Sequence, residues 1–363
     1  MTDKLFQPYK LRSLALPNRI VVSPMAQFSA DREGRATDWH HVHYGTLAVS
    51  GAGLVILEAT AVRPEGRVSP CCLGLWDDGQ IDGLRKVVDF SRKSRGAFVG
   101  IQLAHAGRKG SVSTPWQGGH ALSREEGGWP IWSSSNMPYP GREAPLEPDA
   151  SQLEEITRSY VDSAQRADAA GFDLIELHAA HGYFLNAFLS PLSNGRSDMW
   201  GGSLENRMRF PLEVFRRLRD AWPSHKPLGV RISVTDWVDG GWDVASSSVF
   251  ASRLRALGCD YVAVSSGGVS PEQKVPVGPG YQVPAAAEVR SQSGIPIMAV
   301  GMLSDPELAN RVLVEEKADL VAIGRGMLFN PRWAWHAGLA LTGDIRIPDP
   351  YRRCHPNLRH LPR

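Results

Sequence analysis

The most chemically loaded stretch of the chain is His178-Ala179-Ala180-His181-Gly182-Tyr183, two imidazoles three residues apart with a phenol two residues further on. A catalytic zinc would need a third protein ligand, and neither an HExxH pattern nor a following acidic ligand is present. No metal site is therefore expected. The other chemistry is a pair of N–H donors for a carbonyl or anionic oxygen, with the phenol as proton source. An unperturbed phenol has a pKa of about 10 and stays protonated at neutral pH. The plain alternative is two loop histidines with ordinary partners.

Gln102 and Arg231 are polar residues inside apolar runs. Arg231 either pairs internally with Asp173 or Glu176, or joins Gln102 against a flat polar heterocycle. An amide offers donor and acceptor, and a guanidinium stabilises negative charge on a reduced ring. Gly301 and Gly324-Arg325-Gly326 suit a phosphate, because glycine lets backbone N–H groups approach oxygens and arginine adds a forked cation. Ordinary turn glycines are the alternative. The histidines of Trp39-His40-His41-Val42-His43 do not share a helix face and read as packing and capping.

These residues need a scaffold that brings them together. Apolar runs rich in Val, Ile and Leu fall at 20–23, 54–57, 98–103, 173–177, 228–232, 261–264, 297–300 and 320–323. They do not alternate strictly with polar residues, which is how strands buried on both faces read. Helical patterns follow at 39–49, 81–91, 153–169, 204–221, 247–257, 285–291, 306–314 and 331–339. Ser304 with Glu307 suggests a capping box for the seventh helix, and Asn330 an N-cap for the eighth. The alternation predicts an α/β fold, a (β/α)8 TIM barrel, as one domain over 1–363. A doubly wound sheet would carry a glycine fingerprint after its first strand, where this chain has Ser23-Pro24-Met25-Ala26-Gln27. Long insertions at 108–149, 178–203 and 267–283 would follow strands three, four and six. They would lie on the C-terminal face, where barrel sites form. The segment 343–363 reads as an extended arm.

With 363 residues, 42% hydrophobic, the chain can bury its own core, and 40 basic against 38 acidic residues exclude an electrostatic nucleic-acid binder. Four cysteines without a CxxC argue against clusters and disulfides and for a reducing compartment. No apolar leader or membrane span is apparent. A soluble cytoplasmic protein is expected.

The chain resembles the old yellow enzyme family of FMN-dependent ene-reductases, in its thermophilic-like branch. The matching stretches include Ser23-Pro24-Met25, His41-Val42-His43-Tyr44, Glu58-Ala59-Thr60-Ala61-Val62 and Gln102-Leu103-Ala104-His105-Ala106-Gly107-Arg108-Lys109. They continue with Glu176-Leu177-His178-Ala179-Ala180-His181-Gly182-Tyr183, Gly201-Gly202-Ser203-Leu204-Glu205-Asn206-Arg207 and Gly324-Arg325. The resemblance implies a barrel with FMN at the strand ends, and NADPH or NADH as hydride donor. Ser23, Pro24, Met25 and Ala26 would border the flavin, Ala59 and Gln102 would contact its ring, and Arg231 would face the ring's negative edge. Gly301, Gly324 and Arg325 would hold the phosphate. His178 and His181 would bind the substrate oxygen, and Tyr183 would deliver a proton to an activated alkene. A dehydrogenase or desaturase of a cyclic ketone on the same barrel remains the alternative activity.

Two residues depart from the branch: Ala26 stands where a cysteine is usual, and Phe28 where a tyrosine is. The first puts the flavin potential in question, and the second implies a more apolar substrate pocket. The resemblance also implies a homodimer or homotetramer in which Tyr351-Arg352-Arg353 of the arm caps a neighbour's site, with Arg353 as the finger. A solvated basic tail is the alternative.

Overall fold

The computed structural model describes residues 3–356. A short antiparallel hairpin comes first, β1 (Tyr9–Leu11) and β2 (Leu14–Leu16). Eight parallel strands follow and close on themselves: β3 (Ile20–Val22), β4 (Leu54–Ala61), β5 (Phe98–Ala104), β6 (Leu174–Ala179), β7 (Leu228–Ser233), β8 (Tyr261–Ser265), β9 (Ile297–Ala299) and β10 (Leu320–Ile323), with β10 pairing back to β3. The expected barrel is present, and every one of the eight predicted runs supplies a strand.

The outer ring begins with α1 (Asp38–Ala48), α2 (Ile81–Lys93) and α3 (Ala150–Ala170). After α4 (Phe184–Leu189), which opens on Tyr183, come α5 (Leu204–Ala221), α6 (Val244–Ala256), α7 (Val283–Ser293) and α8 (Pro306–Val314). The short α9 (Arg325–Phe329) and α10 (Trp333–Thr342) complete it. No described helix is long and apolar enough to cross a membrane.

Strand residues divide by parity. Val55, Leu57, Ile101, Ile175 and Val262 point outward into the layer shared with the helices. Leu54, Ile56, Leu174, Tyr261, Met298 and Leu320 fill the barrel itself. Both faces are apolar, which is why the runs do not alternate. Leu11, Leu14 and Leu16 of the hairpin join the inner cluster and plug the N-terminal end. The hairpin is not predicted, because its turn at Arg12-Ser13 carries no Gly or Asn.

Two caps differ from expectation. Asp305, not Ser304, caps α8, its carboxylate accepting from the Leu308 N–H at 2.7 Å. Pro306 occupies the first helical position, which makes the preceding residue the cap. The last long helix starts at Trp333, and Asn330 instead accepts from the Arg332 N–H at 3.0 Å in a turn before it.

Candidate active site

The pairing register of β5 to β8 sets Gln102, Glu176, Gly229 and Tyr261 side by side across four strands. Glu176 is fully buried. Its Oε1 accepts from Gln102 Nε2 at 2.7 Å and from Arg231 Nε at 2.8 Å, and its Oε2 accepts from the Tyr261 hydroxyl at 3.1 Å. The tyrosine reaches Glu176 because Gly229 lies between them: a Cβ there would come within 2.1 Å of the Tyr261 ring. Arg231 thus has the internal partner that its sequence position allows. Its Nη2 nevertheless stays buried without an acceptor, which leaves this nitrogen available to a further partner. Gln102, with its amide nitrogen committed to Glu176, has its carbonyl oxygen uncommitted.

His178 follows Glu176 by two residues on β6, paired in register with Arg231, and is buried. The Ala180 N–H donates to His178 Nδ1 at 3.2 Å, which assigns the ring proton to Nε2. That nitrogen lies 3.3 Å from His181 Nδ1, and His181 Nε2 lies 2.7 Å from Ser265 Oγ. Each imidazole therefore carries one N–H. Removal from water, with Arg231 and Lys109 nearby, lowers His181 to about 3 and takes His178 well below its ordinary value, so both rings are neutral.

His181 adopts φ +61°, an unfavourable region for a side-chain-bearing residue. Three contacts hold it there. Its N–H donates to Ser233 Oγ at 2.8 Å, its carbonyl accepts from Lys109 Nζ at 2.9 Å, and Gly182 behind it packs so close that a Cβ would sit 2.3 Å from the Gly268 oxygen. The tight reversal delivers Tyr183 to the start of α4, with its ring 5.0 Å from that of His178 at 75°. Loss of water around its hydroxyl pushes Tyr183 up to about 12.

The first loop approaches from the other side. A bulge in β4 shifts the register between Leu57 and Ala59, so that Ala59 pairs with Gln102. Glu58 is thereby buried toward α1, where it accepts from the Tyr44 hydroxyl at 3.0 Å and from the Gln27 N–H at 2.8 Å. This carboxylate fixes the loop that carries Pro24, Met25, the exposed Ala26 and Phe28. Phe28 lies edge-on to Trp116 at 6.1 Å. His40 is buried, its Nδ1 accepts from the Thr37 N–H at 3.0 Å, and its Nε2 lies 3.4 Å from Glu58. Of the three helix histidines, His40 serves packing and capping.

Ser23, Met25, Gly301, Gly324 and Arg325 line one cleft of about 460 Å³. Gly301 has φ +115°, and a Cβ there would come within 2.6 Å of Gln282 Nε2. Ser265 lines the same cleft and bonds His181, so the glycine loops and the histidine pair share one mouth. The residues present suit an FMN by their chemistry: a buried Arg231 Nη2 without an acceptor, and a glycine-lined cleft that carries Arg325. Among the described residues no group of three or more His, Cys, Asp or Glu is placed to hold a metal.

Arg353 is not brought to the mouth. It is exposed on a 3-10 turn at Asp349–Cys354. Pro348 and Asp349 lie beside Asn18, Gly51 and Gly96, which precede β3, β4 and β5 at the barrel's opposite end. Residues 357–363 of the expected arm lie outside the described residues. Sequence reasoning assigned no role to Ser233, Tyr261 or Lys109. Gln102 and Arg231 inside apolar runs, with Glu176 as a possible partner of the arginine, were the signals that pointed to the hub.

The profile of the NADH:flavin oxidoreductase / NADH oxidase family matches residues 4–341. An NADPH dehydrogenase of Geobacillus thermodenitrificans is 43% identical over 355 residues, covering 97% of this chain and 99% of that protein. One of Bacillus subtilis is 39% identical over 355 residues with the same coverage. Among solved structures, a morphinone reductase superposes with a TM-score of 0.79 at 26% identity, over 96% of this chain and 92% of that one. The chain belongs to the NADH:flavin oxidoreductase / NADH oxidase family, that of the old yellow enzymes, and is an FMN-dependent oxidoreductase.

Proposed function

We propose that the enzyme reduces the activated C=C bond of α,β-unsaturated carbonyl or nitro compounds. The observation that carries this reading is the placement of two neutral imidazole N–H groups and one protonated phenol at a single mouth above Arg231. FMN, when bound, would supply the hydride that NADPH or NADH provides and the substrate's β-carbon receives. The side chains do the rest. His178 turns its N–H from His181, and His181 its N–H from Ser265, toward the substrate oxygen, and both stabilise the negative charge that develops there. Tyr183 donates its proton to the α-carbon.

For the cofactor, Ser23, Pro24, Met25 and Ala26 border the ring, beside Ala59. The free carbonyl oxygen of Gln102 would accept from the ring's N–H, and Arg231 Nη2 would donate to its electron-rich edge. Gly301, Gly324 and Arg325 hold the phosphate. We read residues 1–363 as one FMN-binding domain with an arm over 343–363. Arg353 lies at the far end of its own barrel, so a role at a substrate requires a neighbouring copy, which favours a homodimer or homotetramer. The four cysteines are free, and this supports a cytoplasmic location.

The purified protein should be yellow, bleach under anaerobic NADPH, and recover its colour on addition of cyclohexenone. Bleaching without recovery would leave an oxidoreductase but remove the ene-reductase reading. A second expected outcome concerns the exposed Ala26 in the loop tied to Glu58. Ala26→Cys places a polarisable sulfur beside the ring and should move the midpoint potential by on the order of 30 mV, about 1.4 kcal/mol for two electrons. An unchanged potential in a redox titration rules out Ala26 as a determinant.

A further inference from the structure

Three cations crowd one aromatic ring beside the mouth. Arg108 Cζ, Lys109 Nζ and Arg142 Cζ lie 5.7, 5.2 and 5.3 Å from the ring centre of Tyr139. Lys109 also lies 5.4 Å from the ring centre of Tyr183. Among the described residues, none of the three has an ion-pair partner. Arg108 donates to the carbonyls of Met137, Pro138 and Val269, and Lys109 to those of His181 and Gly268. Carbonyls satisfy N–H groups but do not neutralise a charge. Asp236 is the carboxylate whose charge acts on Arg108, but it forms no ion pair with any of the three, and its Oδ2 accepts from the Ser190 hydroxyl and the Trp242 N–H.

Arg142 differs from the other two. Its guanidinium makes no hydrogen bond, and its Nη1 is shut off from solvent without a partner. An unsatisfied buried donor costs about 1–3 kcal/mol, more when charged. Burial and the two neighbouring arginines lower Lys109 to about 8, as expected where positive charge is concentrated without an anion.

We propose that Arg142, with Lys109 and Arg108 behind Tyr139, forms a subsite for an oxyanion, carboxylate or phosphate, carried by the molecule that lies over Tyr183. The inference rests on the proposed function, because it assumes that a reactant occupies that space. The planar fork of Arg142 matches a carboxylate or phosphate in two-point contact, and the Tyr139 face behind it keeps the fork oriented. The oxyanion has two possible sources: a carboxylate on the alkene substrate, or the phosphates of the nicotinamide donor.

The test compares wild type with Arg142→Gln in the full-length, FMN-loaded protein. One arm measures kcat/KM for a ring-carboxylated cyclohexenone against its methyl ester. Another measures flavin reduction by NADPH against NADH. A third titrates inorganic phosphate and follows the visible flavin band. Loss of a charge-assisted contact should lower one of the two ratios roughly 10–100-fold, and should weaken phosphate binding. The ratio that falls identifies the source. If neither ratio moves and phosphate affinity is unchanged, the cluster is only a loop clamp and the proposal is overturned. If wild-type enzyme reduced by NADPH is not reoxidised even by cyclohexenone, the proposed reaction fails, while the NADPH-to-NADH ratio and the phosphate titration still judge the subsite.

Discussion

Tyr183→Phe should slow reoxidation of the reduced enzyme by cyclohexenone about 10²–10⁴-fold, the usual contribution of a positioned general acid, and leave reduction by NADPH within a few-fold of wild type. The asymmetry follows from what the substitution removes. The ring that packs against His178 and under Lys109 is retained, so the turn at His181 and the N–H pair keep their places. Only the proton is lost, and the reductive half-reaction does not need it. Anaerobic stopped-flow resolves the two halves. If both slow equally, Tyr183 shapes the site rather than protonating substrate; if neither slows, the proton comes from elsewhere. The pH dependence carries the same signature. His181 titrates near 3 and Tyr183 near 12, so between about pH 5 and pH 10 the trio keeps one protonation state. The wild-type oxidative rate with cyclohexenone should be flat across that range, apart from any limb near pH 8 contributed by Lys109.

The barrel was legible because its strands are buried on both faces. A run such as Leu54 to Leu57 sends alternate residues into two apolar layers, and this removes the polar alternation of a half-exposed strand. What depended on local geometry was less legible. The Asp305 cap turns on which residue precedes Pro306 directly. The hairpin at 9–16 has no turn signal and is held by the barrel interior it plugs. At the site, residue type was enough to single out His178, His181 and Tyr183, which the fold brings together. It was not enough where the role depends on register. The bulge that turns Glu58 outward and Ala59 toward Gln102, and the long reach of Lys109 to the His181 carbonyl, arise from packing between segments far apart in the chain. The two readings of Arg231 turned out not to compete. Its Nε takes the internal carboxylate and its Nη2 is left for another acceptor, a division that only the orientation of the fork decides.

That division makes Glu176 the most consequential residue outside the histidine–tyrosine trio. Glu176→Gln should destabilise the protein by about 3–5 kcal/mol, because it leaves the buried Arg231 cation without its counter-charge. Chemical unfolding of FMN-stripped and FMN-loaded protein measures the loss. The same substitution should raise the midpoint potential of bound FMN. A carboxylate beneath Arg231 opposes the field that the cation presents above, and its removal favours the reduced, negatively charged ring. Glu176→Asp retains the charge and should return the potential toward wild type even where stability does not recover. The decisive comparison is Glu176→Met combined with Arg231→Met. Replacing a buried ion pair with apolar side chains of similar volume is often neutral or stabilising, so the double variant should regain much of the stability lost by Glu176→Gln alone. It should also hold FMN more weakly and at a lower potential, since the spare donor is gone. A double variant that stays as unstable as Glu176→Gln would show that the pair serves packing, with Gln102 and Tyr261 depending on it. Recovery of stability without recovery of the potential would place the purpose of the buried charge at the ring.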